Sequence, residues 1–169
     1  MNRKEVVCLV EKVLDDFYKK HAYLVNNYKA LSEMMKNNRA SDKNYVCERS
    51  CVFRIGIYLN EYLSNIDECS DLNVDCEYCR NFDDFKRIYG RNHGVVPDII
   101  VHRRASNKDN FLYFEFKGYW NTDEKDDIHK IKEFTRNDGE YNYKYGFFIR
   151  LGKSRNDCDV RLYIDGKEY

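Results

Sequence analysis

Two short apolar runs carry ionisable groups where a strand ordinarily carries none. Val95 to Val101 contains Asp98, and Phe111 to Lys117 contains Glu115 and Lys117. Strand side chains alternate between faces. Tyr113, Glu115 and Lys117 are therefore expected on one face, with Leu112, Phe114 and Phe116 turned the other way into a core. Polar groups in a core strand are costly unless they are paired or put to use. Two carboxylates and an ammonium on neighbouring strands have two readings. They could form a structural ion-pair cluster, or hold a hard divalent cation beside a lysine that steadies an anion.

Those strands need elements to position them. Val6, Val10, Val13 and Phe17 recur at helical spacing, and Asn2 with Glu5 three residues on predicts a capped first helix. The pattern weakens from Tyr23 to Met35, and residues 37–42 read as a break. A second helix is expected from about Asp42 to Leu63, with Glu48, Cys51, Val52, Ile55, Leu59 and Tyr62 in one stripe. Glu48 opens that apolar face. It is either a first-turn acid favoured by the helix dipole or a carboxylate carried toward whatever the helix packs on.

Leu72 to Cys79 alternates, with Val74, Cys76 and Tyr78 on one face and Asp75 and Glu77 on the other, and is expected as a first strand. Residues 82–94 are mixed and basic and predict a short helix or loop. The polar stretch from Arg103 to Asn110 suits a hairpin into the strand that ends at Gly118. Thr122 or Asp123 is expected to cap a third helix bearing Ile128, Ile131 and Phe134 or Thr135. Strands are expected at 143–151 and 160–164. A helix between two strands implies a crossover. The expectation is an α/β fold: a mixed sheet of about five strands flanked by helices, with an N-terminal helical extension. One domain is expected over residues 1–169, with 1–40 as the extension and 41–169 as the core.

Composition narrows the function. The 169 residues are 34% charged and balance to zero net charge. That argues against a polybasic tail or a protein dominated by nonspecific nucleic-acid attraction. No signal-peptide order and no run of about 20 apolar residues is present, so no membrane span is expected. Seven cysteines in a chain of this size suggest a reducing cytoplasm rather than a disulfide scaffold. Cys69, Cys76 and Cys79 could be three zinc ligands, but a fourth is not evident, and strand alternation would split Cys76 from Cys79. Cys47 and Cys51, one helical turn apart, read as small hydrophobes. No phosphate-binding loop, dinucleotide fingerprint or Cys-His signature appears.

Pro97-Asp98, sixteen residues, then Glu115-Phe116-Lys117 and a following helix resembles the core of the PD-(D/E)xK nuclease superfamily. Residues 73–80 and Asp127-Ile128-His129-Lys130-Ile131 are similar to small bacterial members with a restriction-endonuclease-like fold. The resemblance spans about Tyr45 to Leu151. It implies a metal-dependent nuclease, acting on phosphodiester bonds in DNA with Mg²⁺ or Mn²⁺ as cofactor. Asp98, Glu115 and the backbone carbonyl of Phe116 would bind the metal, Lys117 would steady the attacking water or the transition state, and Glu48 would be the helix-borne acid. Glu77 is the rival for that last role. His102 either contacts the phosphate or fills space near its strand end. Arg103 and Arg104 are either phosphate contacts or exposed turn residues, and Lys130 either approaches the site or lies on a solvated face. A small domain with little readout surface implies a homodimer, a partner protein or weak sequence preference. The other reading is a non-catalytic nucleic-acid-binding or assembly subunit on the same fold.

Overall fold

The computed structural model describes residues 1–26, 48–91 and 93–169. The first helix, α1 (Arg3–His21), begins at the capping box expected of it: Glu5 N donates to Asn2 Oδ1 (3.1 Å) and Asn2 N to Glu5 Oε2 (2.7 Å). Val6, Val10, Val13 and Phe17 are its buried stripe. A short α2 (Tyr23–Asn26) follows. The remainder of the Tyr23–Met35 stretch, the break at 37–42, the start of the second helix and Cys47 lie outside the described residues. Helix α3 (Glu48–Ser64) buries Cys51, Val52, Ile55 and Leu59.

Six strands make one mixed sheet in the order β1-β4-β5-β6-β7-β8. These are β1 (Asn73–Cys76), β4 (Ile99–His102), β5 (Leu112–Gly118), β6 (Tyr145–Leu151), β7 (Asp159–Ile164) and β8 (Lys167–Glu168). Five strands were expected; β8, a two-residue strand after the Asp165-Gly166 turn, is the addition. Only β5 and β6 run parallel, and α4 (Lys125–Thr135) is the crossover between them. Glu124, rather than Thr122 or Asp123, occupies its N-cap position. The basic stretch after β1 is neither helix nor plain loop. It contains a separate hairpin of β2 (Arg80–Asn81) and β3 (Asp84–Phe85).

The sheet lies between two helical layers. Leu112, Phe114, Phe116, Phe147 and Ile149 pack with α1 and α3, while Tyr113, Phe148 and Tyr163 pack with Ile131 and Phe134 of α4. The alternation expected along β5 is thus the alternation found. Each buried aromatic or aliphatic side chain stabilises by roughly 1.5–3 kcal/mol, which fixes β5 at the centre of the molecule. Gly146 brings α4 close: a Cβ there would lie 2.6 Å from Ile131 and 2.7 Å from Thr135. That approach seats the polar side of α4 over the far half of β5.

Candidate functional site

Asp98 precedes β4, whose pairing with β5 starts at Ile99 opposite Phe114. Among the described residues, the β5 backbone beyond Phe114 consequently has no strand partner on that side, and two side chains take over. Phe116 N donates to Asp98 Oδ2 at 2.7 Å, and Gly118 N donates to Glu48 Oε2 at 2.9 Å. The N–H and C=O of a strand residue project to the same edge, so the Phe116 carbonyl faces the edge where Asp98 sits. A cavity of about 450 Å³ opens there, lined by Glu48, Glu77 and Asp98 with Val52, Phe53 and Val96.

Glu115 faces α4 and is 1% exposed. Tyr113 donates to its Oε1 (2.5 Å), and Lys130 Nζ donates to its Oε2 (2.9 Å). Lys130 also reaches Asp127 Oδ1 (3.2 Å). The other oxygen of Asp127 lies 2.7 Å from Lys117 Nζ, a charge contact rather than an aligned hydrogen bond. Asp127 therefore bridges the two lysines, and it is buried. In sequence it stands among the neighbouring acids Asp123, Glu124 and Asp126, and in the string that resembles the superfamily, with no role assigned to it. Its i, i+3 spacing to Lys130 was the available signal.

Among the described residues, four carboxylates (Glu48, Asp98, Glu115, Asp127) thus meet two ammonium groups. Burial, then the charge of Asp98, pushes Glu115 up to about 8, against the pull of Lys130. Burial pushes Asp98 up to about 6, with Glu48 and Asp127 adding to it and the Phe116 N–H opposing. Burial works against the charge on Lys130 and Lys117, yet the surrounding carboxylates outweigh it and both are raised. The lysines stay charged; at neutral pH Glu115 holds a proton, while Asp98, raised less, is mostly ionised.

The site's oxygen donors suit a hard divalent cation. Among the described residues, however, no three Asp, Glu, His or Cys side chains converge at the spacing of a ready-made metal site. Glu115 spends both oxygens on Tyr113 and Lys130, while Glu48 and Asp98 cap the strand edge.

Glu77 leaves the strand expected for it. It follows β1 in a left-handed conformation (φ 52°), pairs with Arg49 at 2.7 Å and rims the same cavity. The alternation of β1 ends there, so Tyr78 joins the α4-side core instead of sharing Val74's face. His102, Arg103 and Arg104 sit at the other end of β4, roughly 13 Å of strand from Asp98. His102 Nε2 contacts Asp75 Oδ2 (3.0 Å) against the Tyr78 ring, and Arg104 also holds Asp75 (2.9 Å). Arg103 pairs with Asp71 (2.5 Å) and Asp109 (2.9 Å). The structure does not bring these three to Asp98; it does bring Lys130. Cys69, Cys76 and Cys79 are free thiols, and Cys76 packs on Gly56 of α3. No described helix is long and apolar enough to cross a membrane. Compared with protein-family models, curated proteins and solved structures, the chain finds no match.

Proposed function

We propose that the chain is a metal-dependent nuclease of the PD-(D/E)xK type, with a restriction-endonuclease-like core, hydrolysing phosphodiester bonds in DNA. One observation carries this reading: at the end of β5, Asp98 and Glu48 hold the strand edge beside a cavity, while Glu115 and Lys117 of the same stretch are held by Lys130 and Asp127 on the α4 side. Asp98, Glu115, the Phe116 carbonyl and Glu48 would hold Mg²⁺ or Mn²⁺, which supplies Lewis acidity and a more acidic bound water. Tyr113 orients Glu115. Lys117, held by Asp127, places an ammonium where an anionic phosphate oxygen gains charge. Val52, Phe53 and Val96 give the cavity an apolar wall.

The Lys130–Glu115 contact favours a second reading, a non-catalytic nucleic-acid-binding or assembly subunit whose buried ions neutralise one another. Thermal unfolding with and without Mn²⁺ separates the two, because a ligand that binds only the folded chain raises its midpoint. The nuclease reading expects a rise for the native chain, none for Asp98→Asn, and Mn²⁺-dependent cleavage of a DNA panel. A native midpoint insensitive to Mn²⁺ both with and without DNA, and no cleavage, sinks it.

A further inference from the structure

The hairpin β2–β3 covers an unusual lysine. Lys86 is 2% exposed, and its backbone is fixed on both sides, its N–H donating to Cys79 O and its C=O accepting from Val95 N, each at 2.7 Å. Its ammonium lies over the rings of Tyr78 (5.5 Å) and Tyr141 (5.3 Å), and no carboxylate of the described residues is in ion-pair range. The acids nearby are already engaged. Asp75 serves His102 and Arg104, and Glu140 accepts from Asn81 at 2.5 Å. Burial lowers Lys86 to about 8, so the charge is costly and still present at neutral pH. Burying a charge without a counter-charge is among the most expensive things a fold does.

Lys86 lines a small recess of about 10 Å³ together with Tyr78, whose ring its ammonium overlies, and with Arg80, Phe82, His102 and Asn107. That is room for about one oxygen atom. Outside it, Arg80 is exposed and offers a fork of donors suited to the remaining oxygens of a phosphate. Phe82 stands beside it, 56% exposed. It occupies the first position of a two-residue hairpin turn at φ 54°, where glycine or asparagine is the ordinary choice. The turn itself gains nothing from an aromatic ring there, and an exposed ring next to an anion recess fits a base next to its phosphate.

We propose that Lys86 and Arg80 form a second, remote phosphate site for the nucleic-acid strand, with Phe82 stacking on an adjacent base. The site rests on the nuclease reading for its ligand. It lies at the His102 end of the sheet, roughly 13 Å of strand from Asp98, the axial span of about four nucleotides of a stacked strand. It is an interaction site, away from the reacting bond.

Strand binding is read in EDTA, so that it is seen without cleavage, and Mn²⁺ midpoint shifts are read separately without EDTA or DNA. Fluorescence anisotropy follows a short labelled single strand, the matching duplex and an RNA strand across a salt series, with thermal unfolding in inorganic phosphate alongside. For the native chain we expect single-strand binding and a phosphate-dependent rise in midpoint. Lys86→Met keeps the shape without the charge, and Arg80→Ala alters only the surface. Each should weaken single-strand binding about tenfold and lower the salt slope by about one. Phe82→Ala should weaken it without changing the slope. The Mn²⁺ midpoint shift should stay intact in all three, whereas Asp98→Asn should lose that shift and keep the strand. Equal strand affinity for the native chain, Lys86→Met and Arg80→Ala overturns the remote site and leaves the nuclease reading standing. A phosphate effect without any dependence of strand binding on Lys86 makes the recess a free-anion site and equally overturns the proposal. Absence of both strand binding and a Mn²⁺ shift in the native chain overturns the nuclease reading itself.

Discussion

The two ends of β4 use the same residue types to opposite effect. At the Asp98 end, carboxylates outnumber ammonium groups and are walled in, so protons sit on groups that would otherwise be charged. At the His102 end, the charged residues that follow β4 have partners: Arg103 holds Asp71 and Asp109, and Arg104 holds Asp75, which is lowered because the donors Arg104 and His102 outweigh the burial that opposes them. A buried imbalance stores a demand for a cation; a balanced surface network does not. Charge alone does not distinguish the two ends; Glu115 stands inside an apolar strand run, whereas Arg104 stands in a polar stretch. Burial does.

On the nuclease proposal, the two ends of β4 should differ most in catalysis. Asp98→Asn should lower Mn²⁺-dependent DNA cleavage by about 10³-fold or more, and Lys117→Met by roughly 10²–10³-fold, on the scale of losing a positioned electrostatic group. Arg104→Ala should leave the rate within about twofold, since it lies at the far end of the strand. Initial rates on one DNA substrate decide this. An equal loss from Arg104→Ala would dissolve the distinction between the ends.

Stability gives the next largest contrast. Lys130→Met leaves Glu115 and Asp127 without a shared partner and should cost about 3–5 kcal/mol by denaturant unfolding. Adding Glu115→Leu should restore part of it, since a buried pair replaced by apolar groups is often neutral. A full cost that persists in the double variant would mean that Lys130 acts through packing rather than charge.

The fold was legible where one periodicity ran uninterrupted. The stripe from Val6 to Phe17, the alternation of Leu112 to Lys117 and the crossover helix follow from spacing and apolar burial. Residues 82–94 were not legible, because the β2–β3 turn is made by Phe82 at positive φ, a position that turn chemistry assigns to other residues. Glu77 fails for the same reason: a left-handed residue ends β1 and no local signal announces it. That Glu48, Asp98, Glu115 and Lys117 come together at the end of β5 follows from their types and order; whether they form a site is the proposal. Asp127 was hidden among neighbouring acids, and its role depends on how closely α4 approaches at Gly146, a tertiary fact. Lys86 looked like one more basic residue, and only its burial without a carboxylate makes it unusual.

Proton linkage sharpens the contrast further. Both Asp98 and Glu115 are raised in the folded chain, so between their ordinary values and their folded ones the native state binds more protons than the unfolded. Their contribution to stability should therefore fall as pH rises from about 4.5 to about 8 without metal, while His21 and His102, lowered chiefly by burial, contribute with the opposite sign near the histidine range. Mn²⁺ competes with those protons, so its midpoint shift should be larger at pH 8 than at pH 6. Glu115→Gln should flatten the metal-free slope over the upper part of that range. A metal-free midpoint that climbs with pH would contradict the surplus of buried carboxylate.

The smallest expected effect concerns the two acids that share the cavity. Glu48 is anchored by the Gly118 N–H at the edge of β5, whereas Glu77 is 48% exposed and held by an arginine that is itself 83% exposed. Exposed pairs of this kind contribute little and are screened by salt. Glu48→Gln should weaken Mn²⁺ binding about tenfold, the lower end for perturbing a metal site's supporting groups, and Glu77→Gln should change it by less than about twofold. Isothermal titration at matched pH measures both. If Glu77→Gln has the larger effect, the acid completing the site comes from the turn after β1 rather than from α3. The cavity would then be organised by a left-handed residue held at a cost in backbone energy, and the packing of α3 would matter only for the core.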